Sequence, residues 1–411
     1  MRIMKSMGFL LGFFLFLPIA GCAGEERLWP PDITARETAL INASNQFGFS
    51  LFSKVIEHSD GGNVFISPLS VSMALGMTEN GAAGQTLSAM KATLGHAGLS
   101  DEEINQGYRT LIDYLTRLDP KVTMEIANSI WYRDGLPVLP GFVEINQAFF
   151  DALVTALDFD DPSAAGTINA WVNGATHGRI DKIVSSPIDP TLVMFLINAV
   201  YFKGDWTLRF DRFDTADAVF HGAAGDRDVP MMKLHDDELA YLEDGGTQIL
   251  DLAYGGGKFA MALLLPAPGQ TVDELAASLT PERWADWMAR LSEQEGEVFL
   301  PRFELEFEAS LKPVLSVLGM EIAFDPGAAD FSRILPEGGL FISEVRHKSF
   351  VRVDEEGTEA AVVTSVEVGI TSVPAFFVFR ADRPFLFVLH ERASGALLFM
   401  GKLVDPTSLR A

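Results

Sequence analysis

From Thr358 to Gly369 the chain alternates with a period of two. One parity (Thr358, Ala360, Val362, Thr364, Val366, Val368) is small or β-branched throughout, and the other (Glu359, Ala361, Val363, Ser365, Glu367, Gly369) holds both charges. That pattern belongs to a β-strand with one buried face. Gly357 stands just ahead of it, where a backbone pivot is useful, and Thr371-Ser372-Val373-Pro374 beyond it reads as an exposed, turn-like stretch. A fold for this chain must therefore find room for a strand held in reserve that ends in an exposed loop. Such a loop could serve as bait.

The residues around this strand resemble a known family. Glu355-Glu-Gly-Thr-Glu-Ala-Ala361 resembles the hinge of an inhibitory serpin, and Phe379-Arg-Ala-Asp-Arg-Pro-Phe-Leu-Phe-Val-Leu389 resembles the signature that follows the reactive loop. Asn63-Val-Phe-Ile-Ser-Pro-Leu-Ser70, Ala127-Asn-Ser-Ile-Trp-Tyr132, Ile168-Asn-Ala-Trp-Val-Asn173, Thr176-His-Gly-Arg-Ile180 and Ile197-Asn-Ala-Val-Tyr-Phe-Lys-Gly-Asp-Trp206 are similar to family segments, in family order. Leu318-Gly-Met-Glu-Ile-Ala-Phe324 and Phe399-Met-Gly-Lys-Leu-Val-Asp-Pro406 extend the resemblance to the C-terminal end.

The chain has 411 residues, 48% of them apolar and 21% charged, with no Ser/Gly-rich linker or repeat after residue 35. One large α+β domain over residues 35–411 is expected, with a large sheet, further sheets, packed helices and an exposed reactive loop. The formal net charge of -25 repels polyanions, so neither nucleic acid nor a heparin-like partner is expected. Arg2 and Lys5 precede an apolar run from Met7 to Ile19, which reads as an export signal over residues 1–21. It ends in Ile19-Ala-Gly-Cys22, which resembles the lipobox of bacterial lipoproteins, and Cys22 is the sole cysteine. Lipidation of Cys22 and a tether over residues 22–34 are expected. The protein would then be membrane-anchored, with outer membrane or cell surface favoured because Asp does not follow the cysteine; the alternative is a secreted protein. With a single cysteine, stability must come from the core rather than from internal disulfides.

Ser67-Pro68 reads as an N-cap followed by proline at the first helical position, with a stop at Asn80-Gly81. Ser100 and Glu103 form a capping box. The nearly continuous apolar run Leu192–Phe202 predicts a strand covered on both faces in the middle of a sheet, interrupted by Asn198. Further strands are expected at Val298–Phe307, Phe341–Val353, Phe385–His390 and Leu397–Leu403.

Enzyme motifs find little support. The seven histidines show no His-Glu-x-x-His pair, a Gly-x-Ser-x-Gly elbow is absent, and Gly255-Gly-Gly-Lys258 lacks the Ser/Thr and glycine spacing of a phosphate loop and reads as a turn. Asp236-Asp-Glu238 reads as a solvated acidic surface. No cofactor or resident metal is expected.

The resemblance implies an irreversible suicide inhibitor of serine proteases rather than an enzyme. The protease forms an acyl-enzyme on the loop, the freed strand inserts into the main sheet, and the enzyme is carried along; about 14 residues at ~3.3 Å each span roughly 45 Å. It further implies a hinge at Glu355, Gly357, Thr358, Glu359, Ala360 and Ala361, a shutter at Ser67, Ser70, Asn198 and His347, and Trp206 at the top where insertion begins. The family's loop length, seventeen residues counted from Glu355, places the scissile bond at Thr371-Ser372. Small, uncharged Thr371 predicts elastase-like or subtilisin-like targets, with papain-like cysteine proteases as a second class. A monomer is expected. Val362 and Val363 depart from the Ala or Gly common in the hinge, which would slow insertion, although β-branching suits a strand. The alternative is a non-inhibitory serpin-like binding or carrier protein.

Overall fold

The computed structural model describes residues 33–358 and 376–406. The expected signal, Cys22, most of the tether, the hinge residues Glu359, Ala360 and Ala361, Val362, Val363 and the bond Thr371-Ser372 lie outside them.

Helices come first. The first, α1 (Ala35–His58), opens on a capping box between Thr34 and Glu37. A short strand, β1 (Val64–Ile66), leads to α2 (Pro68–Glu79), where Ser67 accepts from the Ser70 N–H and Pro68 fills the first turn as expected. Next come α3 (Gly84–Thr93) and α4 (Asp101–Arg117), the latter capped by both arms of the Ser100–Glu103 box. Then follow β2 (Val122–Arg133), α5 (Pro140–Phe150), β3 (Leu153–Leu157), α6 (Ala164–Ala175) and β4 (Met194–Asp205). Strands dominate thereafter: β5 (Ala216–Gly222), β6 (Gly225–Asp244), β7 (Thr247–Tyr254) and β8 (Phe259–Leu265). Two helices, α7 (Val272–Ala277) and α8 (Pro281–Arg290), separate these from β9 (Ser292–Pro301) and β10 (Phe303–Ser310). After α9 (Lys312–Leu315) the chain forms β11 (Arg346–Val353), β12 (Gly357–Thr358), β13 (Phe377–Arg380), β14 (Phe385–Glu391) and β15 (Leu397–Leu403).

The strands fall into three groups. The largest runs β1-β15-β14-β8-β7-β6-β9-β13 with β5 on β6, the second β12-β4-β2-β3, and the third is the pair β10-β11. Every residue of β8, β14 and β15 is buried, because these strands have both faces covered, and Phe65 of β1 stacks on Phe399 at 5.2 Å and Phe387 at 5.6 Å to close that core. A second apolar cluster, including Trp131, Ile168, Val172 and Ile197, fills the space between α6 and the β2–β4 pair. Helices packed on largely antiparallel sheets make this an α+β domain.

Three expectations about strands change. The Val298–Phe307 run is two strands broken at Arg302, whose N–H bonds Pro230 O at 2.9 Å as the chain passes from one sheet to another. Strand β11 starts only at Arg346, because Ile342 bonds Ala323 O and Val345 O accepts from Leu311, which holds the preceding residues against a helical turn. The Leu192 run does form a strand, and β4 stands between β12 and β2 as expected, but one of its edges is covered only at its end. It pairs with β2 along eleven residues from Met194 to Gly204, whereas its other edge is paired, among the described residues, only at Gly204 and Asp205. Its core-facing residues Met194, Leu196 and Val200 are accordingly only partly buried.

Candidate functional site

After β11 the backbone reverses within four residues. The Asp354 N–H donates to Gly357 O at 3.1 Å, and the Gly357 N–H donates back to Asp354 O at 3.3 Å. Gly357 sits at φ +142, and a Cβ there would lie 2.2 Å from Gly204 O, so this position demands glycine. The turn launches β12 antiparallel to β4, with Gly357 opposite Asp205 and Thr358 opposite Gly204.

The top of this junction is fastened by Trp206. Its indole Nε1–H donates to Asp354 O at 2.9 Å, its backbone N–H donates to Glu356 O at 2.8 Å, and its ring stacks on Tyr254 at 4.3 Å. The Tyr254 hydroxyl lies 3.1 Å from Thr358 Oγ1, and burial pushes that phenol's pKa up. Thr358 therefore turns its side chain towards the main core. Glu355 is 2% exposed. Burial would raise its carboxyl, but Arg302, with Nε at 2.7 Å and 2.8 Å from its two oxygens, and Thr215, whose hydroxyl donates at 2.5 Å, outweigh that and hold its pKa below the ordinary value. Glu356 pairs with Arg212.

Lower down, β4 and β11 face each other across a gap. A cavity of about 40 Å³ lies there, bounded by Asn198–Phe202 of β4, His347–Arg352 of β11, Thr358 at the top, and Ser67 and Ser70 beneath. His347 Nε2 accepts the Ser67 N–H at 3.1 Å, and burial pushes this imidazole down to about 4. With Nε2 spent on a backbone donor, the ring is placed as a neutral structural acceptor rather than as a free base. The Ser67 hydroxyl donates to Leu398 O at 2.8 Å, and Ser70 Oγ donates to Asn198 O at 3.3 Å. Asn198 Nδ2 donates to Asn128 Oδ1 at 2.7 Å, and Asn128 Nδ2 to Phe150 O at 2.6 Å, which ties β4 and β2 to the end of α5. Asn198 Oδ1 is buried without a hydrogen-bond partner, an acceptor left open beside the gap.

The structure thus gathers Ser67, Ser70, Asn198 and His347 at one level of the gap, and Trp206, Glu355, Gly357 and Thr358 at its upper end. Arg302, Thr215, Tyr254 and Asn128 were not singled out from sequence. The one available signal was Arg302 itself, a lone cation in the run Phe299-Leu-Pro-Arg-Phe-Glu-Leu305. The arrangement offers backbone donors and acceptors along two strand edges above a small floor of mixed polar and apolar side chains. Chemically it is a receptacle for a further extended segment.

A family model described as serpin (serine protease inhibitor) matches residues 42–406. The human leukocyte elastase inhibitor is 32% identical over 378 residues, covering 89% of this chain and 99% of that protein. Among solved structures, the thermophilic serpin tengpin in its native state superposes with a TM-score of 0.82 at 32% identity, covering 91% of this chain and 95% of that one. Human thyroxine-binding globulin complexed with thyroxine also superposes at 0.82, with 27% identity over 91% of this chain and 100% of that one.

Proposed function

Because the chain belongs to the serpin family, whose members are generally protease inhibitors rather than enzymes, we propose that it is an irreversible suicide-substrate inhibitor of serine proteases. One observation carries this reading. The register that sets Thr358 opposite Gly204, continued down the open edge of β4, brings Val368 opposite Met194, where β4 begins. From Thr358 to Val368 every residue of that parity is small or β-branched. The reserve strand is therefore long enough to cover the whole open edge.

The same register accounts for side chains. Thr358, Ala360, Val362, Thr364, Val366 and Val368 would face the main core and cover Met194, Leu196 and Val200. Glu359 on the other parity would come opposite Lys203, and Thr364 opposite Asn198, where its hydroxyl would meet the open Oδ1. In the proposed mechanism the protease's serine attacks the carbonyl of Thr371, the bond to Ser372 breaks, and the Ser372 amine leaves with a proton. An ester remains between the enzyme and Thr371. The freed strand zips down β4 and β11, carrying the enzyme along before water can cleave that ester. His347, Ser67 and Ser70 hold the gap until the strand arrives, and Trp206 and Glu355 hold its entrance.

Thr371 gives a buried carboxylate of a trypsin-like pocket nothing to pair with, so elastase-like and subtilisin-like enzymes are the proposed targets. The thyroxine-bound relative keeps a carrier reading in view, but the uninterrupted small parity favours insertion. The test is to mix the soluble domain with pancreatic elastase, subtilisin and trypsin and to look for complexes that survive denaturing gels. Covalent complexes with the first two are expected, and they should vanish in Thr358→Arg, which forces an unpaired charge against Tyr254. Cleavage without any trapped enzyme would overturn the inhibitor reading. Anchoring through lipidated Cys22 is a separate part of the proposal. Cys22→Ser should release the protein from membranes, and unchanged partition would refute it.

A further inference from the structure

On the sheet that receives the chain after residue 375, β6 and β9 run antiparallel and lose register between Asp236 and Leu239. There β6 carries a bulge. His235 and Asp237 stand two residues apart on β6 at this bulge, and Glu295 faces them from β9. One nitrogen of His235 and one oxygen from each carboxylate lie within 4.8 Å of one another, with His235 Nε2 3.6 Å from Glu295 Oε1. Ligands about 2.1 Å from a tetrahedral cation are about 3.4 Å apart, so small side-chain movements close the set. Lys233, two residues before His235 on β6, is already committed, since it holds Glu297 at 2.6 Å. No lysine or arginine pairs with Asp237 or Glu295 among the described residues. Two carboxylates therefore converge on an imidazole without a fixed countercharge, on strands that hold ligands better than loops do.

We propose that His235, Asp237 and Glu295 bind one divalent cation of the zinc and cobalt class, with water completing the coordination. The imidazole favours that class over calcium, which wants six or more oxygens. Position gives the site a consequence. Phe376 packs edge-on against His235 at 5.4 Å, and Phe377 next to it begins β13 and stacks on Tyr241 at 3.8 Å. A cation on His235 would fix the ring on which the re-entering chain rests, at the far base of the reactive loop from the hinge. This proposal does not depend on inhibition.

The experiment strips the full chain with a chelator and titrates it with Zn2+ by calorimetry and with Co2+ by visible absorption. One equivalent at micromolar affinity is expected, weakened at least tenfold in His235→Ala and in the double variant Asp237→Asn/Glu295→Gln. Unchanged thermal transitions of the metal-free variants would show that they fold. Absence of stoichiometric binding overturns the proposal, as does binding that either variant leaves intact. Equal affinity for Ca2+ overturns the assigned class.

Discussion

His347 is neutral because it is buried, and that makes it a liability in acid. Its folded pKa is about 4, below the ordinary 6.5, so an unfolded chain takes up the proton first. Its contribution is intact above pH 6.5 and is lost as pH falls towards 4, by about 2 to 3 kcal/mol near pH 4.5. Urea midpoints at pH 7 and 4.5 should therefore fall further for wild type than for His347→Gln, which removes the titrating ring. Equal falls would place the acid sensitivity elsewhere. Arg302 poses the complementary case. Arg302→Met leaves the Glu355 carboxylate with the Thr215 hydroxyl and its own backbone N–H, and because Arg302 is part-exposed the cost falls below the roughly 3–5 kcal/mol of breaking a fully buried pair. The loss falls at the entrance of the gap, so the variant should open there and lose the proposed inhibitory capacity on storage. Retention of capacity equal to wild type would count against that role.

Among elements, the turn Asp354–Gly357 is the most demanding. Gly357→Ala should displace β12, since the new methyl would collide with Gly204 O, at a cost of ~2 kcal/mol or more. A red shift in Trp206 fluorescence would report it, because Trp206 reaches both Asp354 and Glu356; an unshifted spectrum would mean that the turn tolerates a side chain. Much at this scale was legible beforehand. Ser67-Pro68 and the Ser100–Glu103 box fixed their helix starts by local hydrogen bonds, and the period-2 parity placed Thr358 facing the core. The exceptions share a cause, which is distance along the chain. Nothing near Arg302 announces that its partner is Glu355, and nothing in the Leu192 run shows that one edge of β4 is left open. An apolar run says that a strand is buried, not which neighbour buries it.

The whole molecule is more compact after cleavage than before, if insertion proceeds as proposed. Burying three or more valines at ~1.5 kcal/mol each, besides the new ladder bonds, adds several kcal/mol, so the cleaved form should melt about 5 °C or more above the intact one. Calorimetry of protein nicked at Thr371-Ser372 measures this directly, and coincident transitions would rule out insertion. The helices and β-sheets around the gap need no new topology for it. The preformed turn into β12 has one more consequence, and it concerns timing. A ladder that starts from nothing must first close a loop and align two edges, a slow and improbable event. Here the first rung already exists, so the process begins past its nucleation barrier and its pace is set by how readily the two edges part for each successive residue. Under the proposed mechanism such a device behaves like a zip fastener with its slider already engaged: one cut releases it, and it runs once.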